Sequence, residues 1–155
     1  MRSFTPPFPA YPSGHATFGA AAFHVARLYL KSIDKATIGG SDDKGPDNLS
    51  FDFVSDELDG KSIDPDDTVR TRHKRHFNGL HEAIYENARS RMYLGVHWRF
   101  DGTTGTDPAS MLAATDNVGG VPLGLAIAKD IFMASRTNLR PSPTNVVPPP
   151  FDATP

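Results

Sequence analysis

Two clusters of polar side chains stand out along the chain. In Pro12-Ser13-Gly14-His15 a serine and a glycine open a stretch of helical apolar spacing. Free N–H groups and the positive end of a helix dipole would converge there, which makes an oxyanion site. Gly14 leaves room for a tetrahedral anion, Ser13 adds a hydroxyl donor, and His15 can transfer a proton. A Ser-Gly pair before a helix is more often only a cap. The second cluster is Ser90-Arg91 followed, after five residues, by His97 and then Asp101. Arg91 offers a planar fork of donors for two oxygens of one anion. If this segment is helical, His97 and Asp101 share a face; Asp101 can hold one imidazole nitrogen and leave the other as nucleophile or metal ligand. The plainer alternative is a surface ion pair.

The elements that must position these groups read as helices. Four prolines between Phe4 and Pro12 force an extended approach, and Ser13 is a candidate N-cap. From Gly14 to about Ile33 the apolar residues Phe18, Ala21, Val25 and Leu28 step by threes and fours, predicting a helix with that seam buried. A stripe of small residues beside it, including Gly19 and Ala22, suits close helix packing. Leu80, Ile84, Ala88, Met92 and Val96 predict a second helix from Phe77 to about Val96. A third is expected from Pro108 to Ala114, and a fourth with Pro122 in its first turn, carrying Leu125, Ile127, Ala128, Ile131 and Phe132. Between them, residues 39–67 hold ten of the eighteen acids and read as a long solvated loop with one short element near Phe51–Leu58. Calcium binding is disfavoured there, because an EF-hand register puts Ser55 and Asp66 where the first carboxylate and the bidentate Glu belong. The basic run Arg70 to His76 reads as a solvated helix entry; the His73/His76 pair is discounted as a metal site because the neighbouring cations would repel a metal. No segment shows a convincing period-two strand. The expected class is all-α, a helical domain over 1–136, with a Pro-rich extended or disordered tail over 137–155.

Composition narrows the function. The chain has 155 residues, sixteen basic and eighteen acidic side chains and a net charge of −2, which argues against nucleic acid as a partner. It has no cysteine, so thiolate metal sites, iron–sulfur centres and a Cys nucleophile are excluded. The longest apolar stretch, Phe18 to Leu30, is interrupted by His24 and Arg27 and falls short of the roughly 20 residues a bilayer span needs. No signal peptide is legible at the amino terminus. The expectation is a soluble protein with no membrane partner; its compartment is left open.

Taken together, the two clusters resemble the second and third signature motifs shared by vanadium-dependent haloperoxidases and the type 2 phosphatidic acid phosphatase superfamily. The stretches PPFPAYPSGHATFG, FVSDELDG, RTRHKRHF, ARSRMYLGVHWRFD and GGVPLGLAIAKDIF are similar to the carboxy-terminal half of chloroperoxidase-type enzymes, over roughly Phe4 to Phe132. The resemblance implies part of a helical bundle of the vanadium chloroperoxidase and acid phosphatase type. It implies vanadate as cofactor, with no haem or flavin. His97 would be the direct metal ligand, Arg91, Ser13 and Gly14 would hold oxygens, His15 would be the acid–base group, Asp101 would support His97, and Phe8 would stand beside a halide pocket. The implied reactants are hydrogen peroxide, a halide and a small organic acceptor, giving hypohalous acid in the chloride or bromide class. The 74 residues between His15 and Ser90, Phe8 and the Trp98-Arg99-Phe100 run favour this branch over the compact phosphatases.

One family motif is missing. A Lys, six residues, then Arg-Pro should stand upstream of Ser13, and the eleven residues before Pro12 contain no Lys. Lys129 and Arg136 have the six-residue spacing but lie downstream, in the last helix. The chain is therefore expected to be a truncated form that binds oxyanions weakly alone, or one whose missing cations come from a second chain or a homo-oligomer. Two alternatives stand beside it: an acid phosphatase of the same superfamily acting through a phosphohistidine, and a noncatalytic fragment or oligomerisation module. Part of a bundle should leave an apolar face uncovered.

Overall fold

Residues 7–136 are described by the computed structural model; Phe4 to Pro6 and the Pro-rich stretch 137–155 lie outside the described residues. In chain order the elements are α1 (Gly14–Ser32), β1 (Phe51–Val54), β2 (Lys74–Phe77), α2 (Leu80–Tyr93), α3 (Arg99–Gly102), α4 (Pro108–Ala113) and α5 (Gly120–Arg136), with single 3₁₀ turns at Ser41–Asp43 and Asp56–Leu58. The start and end of α1, the span of α4 and the place of Pro122 in the first turn of α5 match the periodicity reading. None of the described helices is long and apolar enough to cross a membrane.

The framework is α1 lying against α5 and α2. Gly120 and Gly124 let α5 approach α1 closely: a Cβ at Gly120 would fall 2.4 Å from the Ser13 carbonyl oxygen, and one at Gly124 would fall 2.4 Å from that of Thr17. These positions put α5 parallel to α1. The second helix runs the other way, since Asn87 packs on Gly19 while the start of α2 lies near Arg27. Ala16, Ala20, Ile84, Ala88, Met111, Leu112, Val121 and Leu125 fill the core between them.

The buried face of α1 is rotated from the expected one. Phe18 is 74% exposed, and Ala21 and Val25 are only half-buried, whereas Ala16, Thr17, Ala20, His24 and Arg27 face inward beside Leu28. The small side chains won because α5 comes too close for large ones. The displaced apolar residues remain outside: Phe18 and Tyr29 on α1, and Leu123, Ile127 and Ile131 on α5, are exposed.

Two local expectations are corrected. The basic run is not a helix entry: Lys74–Phe77 is a strand paired antiparallel with Phe51–Val54, with Asp52 opposite His76 and Phe51 stacked on Phe77 at 5.0 Å. Four-residue strands are too short for an alternating pattern to register, and the two basic residues flanking Arg75 find their acid only across the hairpin. Lys74 Nζ and His76 Nδ1 both reach Asp52, at 2.8 and 3.0 Å. Nor is the acidic stretch wholly solvated, because the Asp47 side chain is fully buried. Its Oδ1 accepts from the Leu80 and Leu49 N–H groups at 2.9 and 3.1 Å, its Oδ2 accepts from the His81 N–H at 3.0 Å, and Arg27 Nε lies 2.8 Å from Oδ2. Burial alone would raise the Asp47 pKa, but these backbone donors and the Arg27 guanidinium outweigh it and hold the carboxyl below the ordinary range. Asp47 thus caps α2 from a distant loop and ties that helix to α1.

Removing the carboxylate leaves a buried guanidinium without its counter-charge and two helix N–H groups without partners. Asp47→Ala is expected to lose about 3–5 kcal/mol in chemical denaturation, and unchanged stability would remove Asp47 from this role. His24 adds a pH dependence. Burial and the neighbouring Arg27 push its pKa down to about 4, against about 6.5 in the unfolded chain. Between those values the unfolded chain takes up a proton that the folded one does not, so stability falls as pH drops from 6.5 to 4, by roughly 3 kcal/mol. Denaturation midpoints across that window should show the slope, and His24→Gln should flatten it.

Candidate functional site

The site is assembled where the first residues of α1, the loop after α2 and the start of α5 meet. Ser13 adopts an extended conformation as N-cap, and its hydroxyl faces the Ala16 N–H at 3.4 Å. The Ser13 carbonyl accepts from the Thr17 hydroxyl at 2.9 Å, and its own N–H donates to the Asp101 carbonyl at 2.8 Å. This bond pins the helix start to α3. Gly119, at φ +95°, passes so near α3 that a Cβ would fall 2.5 Å from the Gly102 carbonyl oxygen. Its N–H donates to the Tyr11 hydroxyl at 3.2 Å.

The second helix, expected from Phe77 to about Val96, runs from Leu80 to Tyr93 and so ends earlier than expected. Gly95 at φ +76° terminates α2, its N–H bonding the Met92 carbonyl at 2.9 Å while the Val96 N–H bonds that of Arg91 at 3.2 Å. His97 therefore lies ahead of α3 instead of on one continuous helix with Asp101. The pair still forms. Asp101 Oδ2 lies 3.3 Å from His97 Nδ1 and accepts from the Trp98 N–H at 2.9 Å, so one carboxylate caps the short helix and orients the imidazole. Both side chains are 1% exposed, which makes this a buried pair and not a surface one. With Nδ1–H donating to Asp101, the Nε2 lone pair is left free. Nε2 is buried and has no partner among the described residues.

Arg91 lies in the last turn of α2, half-buried, and its Nε is likewise buried without a partner. It follows Asn87 by four residues, on the α2 face that meets the beginning of α1; Asn87 Nδ2 donates to the His15 carbonyl at 2.8 Å. The His15 ring is exposed. Phe8 stands with its ring centroid 6.4 Å from that of His97. The structure thus joins Ser13, Asp101, His97 and Phe8 through direct contacts. His15 and Arg91 enter through Asn87 and the α2 backbone, and no hydrogen bond links their side chains to Ser13 or His97. Gly14 is half-buried at the helix opening.

Sequence reading missed Tyr11 and Asn87. The second was findable, since it precedes Arg91 by one helical turn; the Tyr11 bond spans more than a hundred residues and has no local signature.

A serine-capped helix, a carboxylate-held histidine and a glycine-lined α5 in a mostly helical bundle define a domain of the vanadium chloroperoxidase class. The chain belongs to the family of the VCPO second helical-bundle domain, which matches residues 1–117. It is also similar to vanadium chloroperoxidase of Curvularia inaequalis, 38% identical over 194 aligned positions that cover 95% of this chain and 31% of that protein. The chain thus spans about a third of the curated relative's length, and the aligned stretch is longer than the chain itself, so the relative carries residues within it that are lacking here.

The buried pair predicts a tautomer. His97 should be the Nδ1–H form in ¹⁵N NMR of the imidazole, and Asp101→Ala should shift it toward Nε2–H while costing about 1–3 kcal/mol of stability. An Nε2–H ring in the unaltered chain would overturn the assignment.

Proposed function

We propose that this site is the oxyanion-binding centre of a vanadate-dependent haloperoxidase. The observation that carries the reading is the buried, unpartnered His97 Nε2, whose ring is held from behind by Asp101. A lone pair in that position costs stability unless something binds to it. The unpartnered Arg91 Nε adds a donor for an anion on the same side of α2 as the α1 start. These groups fit vanadate: His97 would bind the metal, while Arg91, the Ser13 hydroxyl and the Gly14 N–H would hold its oxygens.

When bound, vanadate supplies a Lewis acid that polarises peroxide for attack by halide, so that peroxide, halide and a proton give hypohalous acid and water. The chain's own residues do the rest. Asp101 keeps the His97 Nδ1 proton in place and so keeps Nε2 basic. The exposed His15 ring would be the acid–base group that supplies and accepts protons when the oxyanion centre is loaded. Phe8, with its ring centroid 6.4 Å from that of His97, would offer an apolar side to a halide there. Arg91 is the cation among these groups. Arg91 and His97 are the side chains expected to contribute most to oxyanion affinity.

Vanadate titration followed by ⁵¹V NMR, paired with a peroxide and bromide assay, tests the reading. Binding is expected, and Arg91→Ala and His97→Ala should each weaken it by about 100-fold. Phosphate-ester turnover without halide oxidation would move the chain to the acid phosphatase reading, and a folded chain with no vanadate binding would make it a noncatalytic module.

A further inference from the structure

A cavity of about 640 Å³ opens beside His97 on the side of the α2 terminus. That lies within the roughly 300–1,000 Å³ of small-molecule sites. Its walls are apolar at Ala10, Met92 and Val96, with the Trp98 indole and the Arg99 side chain at the rim. Trp98 is 73% exposed, and Arg99 is exposed with no carboxylate partner among the described residues. Lys31, Arg70, Lys74 and Arg75 each hold an acid, whereas Arg99 belongs to the surface cations that do not. An apolar trough, a flat aromatic surface and an unmatched guanidinium together fit one kind of ligand: a planar ring bearing a negative charge.

We propose that this cavity binds an aryl carboxylate, with the ring against Trp98 and the carboxylate on Arg99. His97 is among the residues that line the cavity, so an arene held there lies beside the oxyanion centre. The inference rests on the proposed haloperoxidase reading in one respect, that the arene is the organic acceptor. In that role the ring exchanges one hydrogen for halogen: the carbon–halogen bond forms from the ring π electrons, the oxygen–halogen bond of hypohalous acid breaks, and the hydroxide released takes the ring proton as water. Arg99 is then a specificity-determining residue, selecting anionic over neutral arenes by charge.

Trp98 is the sole tryptophan of the chain, so its fluorescence reports this cavity alone. The unaltered chain is titrated with phenylpropionate, phenylpropanol and propionate. Phenylpropionate should give a saturable change, the neutral alcohol should bind about tenfold more weakly, and propionate should bind weakest. Arg99→Gln should bring phenylpropionate down to the level of the alcohol, while Arg72→Gln on the hairpin side leaves it unchanged. Equal affinity for acid and alcohol, no saturable change, or indifference to Arg99→Gln in a chain folded by circular dichroism would overturn the proposal. So would displacement of phenylpropionate by vanadate together with loss in Arg91→Ala, because the carboxylate would then occupy the oxyanion centre. Failure of vanadate to bind, with Arg99-dependent phenylpropionate binding intact, would instead sink the haloperoxidase reading and leave this site standing.

Discussion

The close approach of α5 to α1 is the constraint from which the rest of the site follows. It is possible only because Gly120 and Gly124 carry no side chain where α5 meets the Ser13 and Thr17 carbonyl groups. Any Cβ there would lie under 3 Å from backbone oxygen, and backbone cannot step aside as a flexible side chain can. The same contact sets the height of Gly119 against α3 and of Ser13 against Asp101. Helix packing and site geometry are therefore one problem: what brings two helices together also fixes the N-cap relative to the histidine–carboxylate pair.

A second junction at the other end of α1 is electrostatic. Asp47 receives the first N–H groups of α2 and the Arg27 guanidinium, while Arg27 Nη1 lies 3.1 Å from His24 Nδ1 and Arg27 Nη2 donates to the Gly45 carbonyl. A buried charged pair does not add stability as a matter of course, because desolvation offsets much of the attraction. Here the carboxylate gains more than an ion pair, since it also satisfies helix donors that burial would otherwise strand. The result is a fixed angle between α1 and α2, which carries Asn87 and Arg91 to the site end.

At that end the chemistry depends on what is left unsatisfied. Asp101 uses one oxygen for both His97 Nδ1 and the Trp98 N–H, and its Oδ1 is buried without a partner, as are His97 Nε2 and Arg91 Nε. Folded proteins rarely leave several such atoms together. All three atoms belong to the stretch that runs from the last turn of α2 to α3, and the His97 and Asp101 atoms share one buried pair.

Much of this was legible from residue types and spacing. Ser13 as a cap, the long helices, and Pro108 and Pro122 in first turns are local patterns that backbone preferences enforce, whereas Ser-Gly-His with Arg91, His97 and Asp101 was read through the family resemblance of two distant clusters. The hairpin, the burial of Asp47, the rotated inner face of α1 and the helix break at Gly95 were not legible. Each depends on a partner distant in sequence or on competition between two acceptable local states. The apolar period of α1 allowed a seam at Phe18 and Val25, and only the arrival of α5 selected the face of Ala16, Thr17 and Ala20, which is not the expected small stripe, since Ala22 is exposed. The sequence by itself thus determined which groups can do chemistry and which segments are helical, because those follow from side-chain type and backbone propensity. Only the tertiary structure decided which carboxylates are buried and which nitrogen of His97 is left open, because burial and hydrogen-bond pairing depend on long-range packing.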